Sequence, residues 1–226
     1  MTATATRPVV IQIQQRSDID GLVLCGEHGG APYDLMAAAL DVAPVRLRGI
    51  TARWRKAGYA ATGQVGPGPA WCWLTAKGMM ATGLDYRPGP PSLARVMHVR
   101  AILAVRLALQ AGLDWQQHRP WWQSERRIRR KGPFAGRHLP DAEAWWPSVD
   151  GSPHAGQVWA IETELSPKTA ARTAVIMAGL ASAGYDRILY YTAPAARPAV
   201  TRAAATLPAA PVTVHDLPPV GFTPGA

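Results

Sequence analysis

The sequence predicts an α+β protein with two domains, the first helical with one β-hairpin and the second an α/β arrangement. The chain has 226 residues, 48% of them apolar, which is enough for two cores of roughly 100 residues each. Hydrophobic periodicity is mainly helical in the first half, whereas strands alternate with helices in the second. The Pro- and Gly-rich run at 87–91 separates the two patterns and is typical of a linker.

Individual elements follow from the same periodicity. The helices are predicted over 18–28, 33–40, 44–57, 75–82, 91–111, 168–183 and 196–206. The strands are predicted over 59–65, 70–74, 157–164, 187–192 and 211–215. We therefore expect a first domain over 1–88, a connecting helix within 89–112, a second domain over 113–217 and a disordered tail over 218–226. The apolar helix over 91–111 suits core packing, a contact between domains or a homodimer interface.

Charge indicates the class of partner. The chain has 24 Lys and Arg against 15 Asp and Glu, a net charge of +9, which favours a polyanion such as nucleic acid. No apolar run reaches the ~18 residues that a membrane span needs, and no signal peptide is evident, so we expect a cytoplasmic protein without a membrane partner. Cys25 and Cys72 form no CxxC pair, which excludes a zinc ribbon and favours free thiols.

The helix predicted over 44–57 has an apolar side and a basic side. It begins with Asp41 as a capping residue and Pro44 in the first turn, and it ends at Gly58. At 100° per residue, one buried stripe contains Leu47, Ile50, Trp54 and Ala57. The basic residues all lie off this stripe and are candidate contacts to double-stranded DNA: Arg46, Arg48, Arg53, Arg55 and Lys56. The alternatives are a solvated basic face, or a hairpin that contacts protein.

A β-hairpin with the tip Gly-Pro-Gly-Pro at 66–69 follows this helix. Two helices, a basic helix and a hairpin are the winged helix-turn-helix plan, in which the basic helix enters the major groove. The segment 18–83 also resembles winged-helix regulators and plasmid proteins, with Trp54 standing where Leu is usual. The matching residues are Val45, Arg46, Trp54, Gly58, Tyr59, Trp73, Leu74, Thr75 and Gly78.

The second half contains a group of acidic residues with regular spacing. Glu162 and Glu164 project from one face of the strand over 157–164, and Asp141 follows a proline upstream. Carboxylates held this close repel one another unless a cation or protons lie between them. We therefore predict that Asp141, Glu162 and Glu164 bind Mg²⁺ or Mn²⁺, with Lys168 beside them. The alternatives are a strand edge paired with arginines, a turn at Asp141 and a surface lysine.

This order of residues resembles the PD-(D/E)xK nuclease core, with Glu164 in place of the usual Lys. Together, the two halves resemble the replication-relaxation family of plasmid and integrative elements in actinobacteria. The matching residues are Ser124, Glu125, Pro140, Asp141, Glu162, Glu164 and Lys168. The resemblance implies an N-terminal winged helix-turn-helix followed by a restriction-endonuclease-like α/β domain, with Glu125 as a further candidate catalytic acid.

The segment 121–131 combines tryptophans with a run of cations. Its candidate DNA contacts are Arg126, Arg127, Arg129, Arg130 and Lys131. If this segment binds DNA, an indole stacks on a base or sugar. The alternative is that Trp121 and Trp122 are buried in the core and the arginines neutralise nearby acidic residues. Trp145 and Trp146 are expected in the core. The six histidines show no metal-ligand spacing, so structural or exposed positions are expected for them.

Three functions remain open at this point. The first is a double-stranded DNA-binding protein of a mobile element, acting in its replication, transfer or regulation, with a nuclease-like domain as a structural or docking module. The second is an active divalent-metal-dependent DNA endonuclease. The third is a winged-helix transcription regulator whose second domain senses a ligand, for which a dry apolar pocket would be the sign.

Overall fold

Helices and strands occur in both halves of the chain in the computed structural model, which describes residues 16–132 and 138–219. The α+β class is confirmed. Two structural units are present, the first ending at Ser92 and the second beginning at Leu93. The tail predicted over 218–226 lies outside the described residues from position 220 onward. None of the described helices has the length and apolar character needed to cross a membrane.

The first unit, within the described residues, packs four helices with a small antiparallel sheet. Its elements are α1 (Arg16–His28), β1 (Ala31–Pro32), α2 (Tyr33–Ala39), α3 (Pro44–Lys56), β2 (Ala60–Gly63), β3 (Trp71–Leu74) and α4 (Ala76–Thr82). The strand order is β1-β3-β2, and β2 and β3 form the predicted hairpin.

The apolar stripe of α3 lies in the core of this unit. Leu47, Ile50 and Trp54 are buried, as predicted, whereas Ala57 is half-buried. The Trp54 indole donates a hydrogen bond to Asp18 Oδ1 at 3.0 Å, which satisfies its polar edge at the boundary of the core. The helix therefore turns its opposite side to solvent.

The ends of α3 show one error in the prediction. Ala43 is the residue before the first turn, and no side chain caps the helix there, so Asp41 is not the cap. Asp41 instead has a left-handed backbone with φ of 51°, which Asp tolerates better than most residues. Pro44 does occupy the first turn, and Gly58, with φ of 75°, follows the last.

Thr75 connects the end of α3 to the start of α4. Its hydroxyl donates to the Gly58 carbonyl at 2.6 Å, and its backbone N–H donates to the Tyr59 carbonyl at 3.0 Å. The same hydroxyl oxygen accepts from the Gly78 N–H at 3.2 Å and so caps α4. A Cβ on Gly78 would lie 2.0 Å from the Tyr59 carbonyl oxygen, so only glycine permits this approach.

The second unit is built on a mixed five-stranded sheet. After a 3₁₀ turn at Leu93–Arg95, its elements are α5 (Val96–Gln110), α6 (Leu113–His118), β4 (Trp121–Ser124), α7 (Glu125–Arg130), β5 (Ala142–Trp145), β6 (Val158–Glu164), α8 (Ala170–Ser182), β7 (Arg187–Thr192), α9 (Arg197–Ala205) and β8 (Val212–Asp216). The strands lie in the order β4-β5-β6-β7-β8. β4, β5 and β6 are antiparallel, whereas β6, β7 and β8 are parallel and joined through α8 and α9.

Each face of this sheet has its own core. One face packs on α5 and α6 through a cluster that includes Ile102, Val105, Trp115, Trp122 and Ile161. The other packs on α8 and α9 through a cluster that includes Ala160, Met177, Leu180, Ile188 and Val200. The helix predicted as a connector is therefore part of the second unit, because α5 supplies residues to its core.

The elements between 113 and 145 are not predicted by the sequence pattern. α6, α7, β4 and β5 each have four to six residues, too few for a hydrophobic period to stand out. Helix α8 also begins later than predicted, because Thr169 caps it by accepting from the Arg172 N–H. Lys168 therefore lies in the loop before the helix.

Candidate nucleic-acid interface and carboxylate cluster

The solvent-facing side of α3 carries a dense group of cations. The five predicted residues are all exposed: Arg46, Arg48, Arg53, Arg55 and Lys56. Arg53 lies 3.4 Å from Asp18, a surface pair that solvent weakens. Because the core stripe fixes the rotation of the helix about its axis, Arg48 and Arg55 lie opposite the core, and Arg46, Arg53 and Lys56 flank the stripe.

An open concavity lies between α3 and the hairpin. Arg55 and Lys56 line it from the helix, and the small side chains of Ala60, Ala61 and Thr62 line it from β2. Hydrogen bonds within the hairpin tip stabilise its turn: the Gln64 side-chain amide donates to the Gly66 and Gly68 carbonyls at 2.6 and 2.8 Å. The concavity is therefore lined by two cations and by small side chains.

The predicted acids of the second unit come together at one end of the sheet. The β5–β6 ladder pairs Ala142 with Ile161, so Asp141 and Glu162 are the next facing positions. Asp141 is near enough for its charge to raise the pKa of Glu162, and Lys168 near enough to lower it. Asp141, Glu162 and Lys168 therefore lie near one another, and Glu164 contacts the same Lys168.

Asp141 is held by three donors. Its Oδ2 accepts from the Thr163 backbone N–H at 2.7 Å and from the Thr163 hydroxyl at 2.8 Å. Its Oδ1 lies 3.1 Å from Nε2 of His98, which reaches it from α5. Burial alone raises the pKa of Asp141, but the hydrogen bond and charge of His98 and the bonds from Thr163 bring it below the ordinary value.

His98 is correspondingly easier to protonate. Its hydrogen bond to Asp141 outweighs the effect of burial and raises the pKa of His98 above its ordinary value. Its other ring nitrogen, Nδ1, lies 3.3 Å from the Thr163 hydroxyl. Both ring nitrogens therefore face oxygen atoms, an arrangement that favours the charged imidazolium.

Glu162 and His138 form a second pair. His138 Nε2 lies 2.9 Å from Glu162 Oε1, and this contact raises the pKa of His138. Burial and the charge of Asp141 raise the pKa of Glu162 to about 7, against the opposing effect of His138. The pKa of Glu162 therefore lies close to neutral pH.

The two remaining acids bind cations of their own. Glu164 Oε2 accepts from Lys168 Nζ at 2.5 Å. Glu125, the first residue of α7, binds Arg95 at 2.6 Å and also Arg129. Burial on its own raises the pKa of Glu125, but these hydrogen bonds lower it below the ordinary value. Glu125 contacts Asp141 through the backbone: the Glu125 N–H donates to the Asp141 carbonyl at 2.9 Å.

A hard divalent ion needs several carboxylate oxygens directed at one point. Here nitrogen or hydroxyl donors already occupy both oxygens of Asp141 and one each of Glu162 and Glu164. Within 16–132 and 138–219, no group of three or more His, Cys, Asp or Glu is placed to hold a metal ion. These carboxylates therefore bond to protein donors in this arrangement, and their binding of Mg²⁺ or Mn²⁺ stays a prediction.

Two residues of the cluster are missed by the sequence analysis. His98 and His138 have no metal-ligand spacing in the sequence, and in the structure both are partners of carboxylates. The alternative of an exposed strand edge is wrong, because Glu162 and Glu164 are only 5% and 6% exposed. His138 lies three residues before Asp141 in the sequence, and this short separation was the one feature that indicated a place near the acids.

The basic segment of the second unit lies on α7 and the residue after it. Arg129 and Arg130 are exposed, Arg126 and Arg127 are half-buried, and Lys131 contacts Glu143 at 3.5 Å. Trp122 and Trp146 are buried, which agrees with a core role. Trp121 and Trp145 are 54% and 38% exposed, so placing Trp145 in the core was wrong.

Comparison with known proteins finds no protein-family model, no curated protein and no solved structure that matches this chain. The resemblance to the replication-relaxation family therefore depends on the sequence motifs alone.

Proposed function

We propose that this chain is a double-stranded DNA-binding protein of a mobile element, of the replication-relaxation type, that acts in the cytoplasm in replication, transfer or their regulation. In this proposal the first unit is a winged helix-turn-helix and the second a nuclease-like domain used for docking or structure. The observation that carries it is the exposed basic side of α3, opposite a buried stripe and beside a hairpin. A helix of this kind enters the major groove while the hairpin lies along the backbone.

The topology of the second unit supports the nuclease-like part of the proposal. The strand β6, which bears Glu162 and Glu164, is followed by α8, β7, α9 and β8, as the sequence predicts for the elements after the acidic residues. Asp141 directly precedes β5 and follows Pro140, and Glu162 and Glu164 lie in the last part of β6. Their bonding to His98 and His138 favours the docking role over catalysis.

The test is duplex binding by an Arg48→Ala/Arg55→Ala variant. Affinity should fall about tenfold or more, because a hydrogen bond to a charged group contributes roughly 1.5–3 kcal/mol. The log–log salt dependence should also flatten by about one unit for each phosphate that the variant no longer neutralises. Fluorescence anisotropy with a labelled duplex at several salt concentrations measures both effects.

The matched control is Arg172→Ala/Arg202→Ala, which removes two exposed arginines from α8 and α9. It loses the same charge and should bind the duplex as the parent protein does. If the parent and the Arg48/Arg55 variant bind with equal affinity and equal salt dependence, and their circular dichroism is the same, α3 is not the recognition helix.

Metal-dependent cleavage is a second candidate, favoured by the nearness of Asp141 to the buried Glu162. Supercoiled plasmid incubated with the protein and Mg²⁺ or Mn²⁺ should stay supercoiled, because the acid oxygens are occupied by protein donors. If the parent protein nicks the plasmid and Glu162→Ala does not, the second unit is an endonuclease and not a docking domain.

A further inference from the structure

We propose that Trp121 and Trp145 form a stacking platform for the bases of single-stranded nucleic acid, flanked by cations of α7 and by Lys131, the residue after it. This site lies in the second unit and does not depend on duplex binding by α3. We call these two residues the indole pair.

The indole pair lies side by side on one sheet face. The antiparallel register of β4 and β5 sets Trp121 directly opposite Trp145, so their Cβ atoms are about 4.5–5.5 Å apart. Trp121 is 54% exposed and Trp145 38%, although their chain neighbours Trp122 and Trp146 are almost fully buried. Two facing, exposed indoles are unusual, because a tryptophan is normally highly buried.

One ring of the pair is held in place by a buried acid. The Trp145 indole N–H donates to Glu143 Oε2 at 2.7 Å, and Tyr185 donates its hydroxyl to Oε1 of the same residue at 2.6 Å. Glu143 is 5% exposed, so this anchor is part of the interior. A ring already ordered in the free protein loses little entropy when a base stacks on it.

Cations lie against both rings. Lys131 Nζ is 4.5 Å from the ring centroid of Trp145, and the guanidinium of Arg127 is 5.4 Å from that of Trp121. Arg129 and Arg130 are exposed further along the same short helix. An occupant must therefore combine flat aromatic groups with negative charge, which is the chemistry of nucleotides.

The platform favours unpaired over paired bases. In a duplex both faces of each base are covered by neighbouring pairs, whereas a single strand offers free faces to aromatic side chains. Trp145 lies four residues from Asp141 along the chain, about 13 Å at the rise of a strand. Single-stranded nucleic acid bound to the indole pair therefore lies close to Asp141 and Glu162.

The test compares single-stranded and duplex binding by the full chain. With labelled oligothymidylate of about 12 nucleotides, Trp121→Leu/Trp145→Leu should weaken binding at least about tenfold, as expected when base–aromatic stacking is removed. Trp121→Tyr/Trp145→Tyr should keep most of the affinity, since tyrosine also stacks. A control variant, Leu113→Ala, removes another exposed apolar side chain of the second unit and should bind as the parent does.

The platform would be overturned if the parent and the leucine variant bound oligothymidylate with equal affinity. It would also be overturned if the leucine variant bound duplex and single strand with equally reduced affinity, or if the tyrosine variant bound as weakly as the leucine variant. If the double leucine variant does not fold, Trp121→Leu alone gives the same comparison, because that ring is more than half exposed. Arg48→Ala/Arg55→Ala should leave oligothymidylate binding unchanged. Failure of duplex binding by α3 is thereby distinguished from failure of the platform.

Discussion

At the scale of single residues, the acids at the end of the sheet differ because their partners differ. Three donors bring the pKa of Asp141 below its ordinary value, whereas burial and the charge of Asp141 raise that of Glu162 to about 7. Two neighbouring carboxyl groups with pKa values moved apart are a frequent sign of a functional site. Here the difference arises because His98 and Thr163 lower the pKa of Asp141, whereas His138 only partly offsets the effect of burial on Glu162.

Replacing Glu162 by Gln should change the pH dependence of stability. The carboxyl pKa rises from 4.5 to about 7 on folding, so protonated Glu162 stabilises the fold fully below about pH 4.5. That contribution disappears as the pH rises through about 7. His138, whose pKa is also raised, loses its contribution in the same direction. The free energy of unfolding of Glu162→Gln, relative to the parent, should therefore rise between pH 5 and pH 8, by on the order of 3 kcal/mol.

Urea unfolding followed by circular dichroism at pH 5 and pH 8 measures this difference. Asp150→Asn, which removes an exposed carboxylate, serves as the control and should show little change with pH. A relative stability of Glu162→Gln that stays constant or falls between these pH values would contradict the burial of an ionisable Glu162.

At the scale of elements, packing explains the residues by which the first unit resembles winged-helix proteins. Gly58 permits the left-handed turn after α3, and Thr75 binds the Gly58 and Tyr59 carbonyls while capping α4. Gly78 lets α4 approach the Tyr59 carbonyl. These residues position α3 against the hairpin, and the arginines of α3 carry the proposed contacts.

Two helical glycines of the first unit should respond oppositely to alanine. Gly78→Ala places a Cβ 2.0 Å from the Tyr59 carbonyl oxygen, so the free energy of unfolding should fall by about 1–3 kcal/mol. Gly49→Ala adds a Cβ with no atom within 4 Å in the exposed middle of α3 and should stabilise the protein by up to about 1 kcal/mol. Chemical denaturation of both variants measures the effects, and a stable Gly78→Ala would show that α4 does not pack as described.

Long elements were predictable and short ones were not. The apolar stripe of α3 runs over about two turns, from Leu47 to Trp54, and is visible in the sequence, as is the buried strand β6. β4, β5, α6 and α7 contain too few residues to show a period, and tertiary packing decides their structure. The predicted cap of α3 is wrong because Asp41, with a left-handed backbone, lies three residues before Pro44, where the helix begins.

At the scale of the whole molecule, the unit boundary changes how the charge is divided. Up to Ser92 the chain has nine basic and six acidic residues, and from Leu93 onward it has fifteen and nine. The second unit therefore carries a net charge of +6 and the first +3, because α5 and the turn before it bring Arg95, Arg100 and Arg106 into the second unit. Both units thus have the charge expected for contact with a polyanion, as the two binding proposals require.

The sequence by itself determined the α+β class, the long helices and strands, the buried stripe of α3 and the cationic side opposite it. These features depend on residues a few positions apart, so local periodicity reveals them. Only the tertiary structure decided that His98 binds Asp141, that His138 binds Glu162 and that Trp145 faces Trp121 in the open. Such contacts depend on strand register and on which helix packs against which face, and the chain sets both only when distant segments meet.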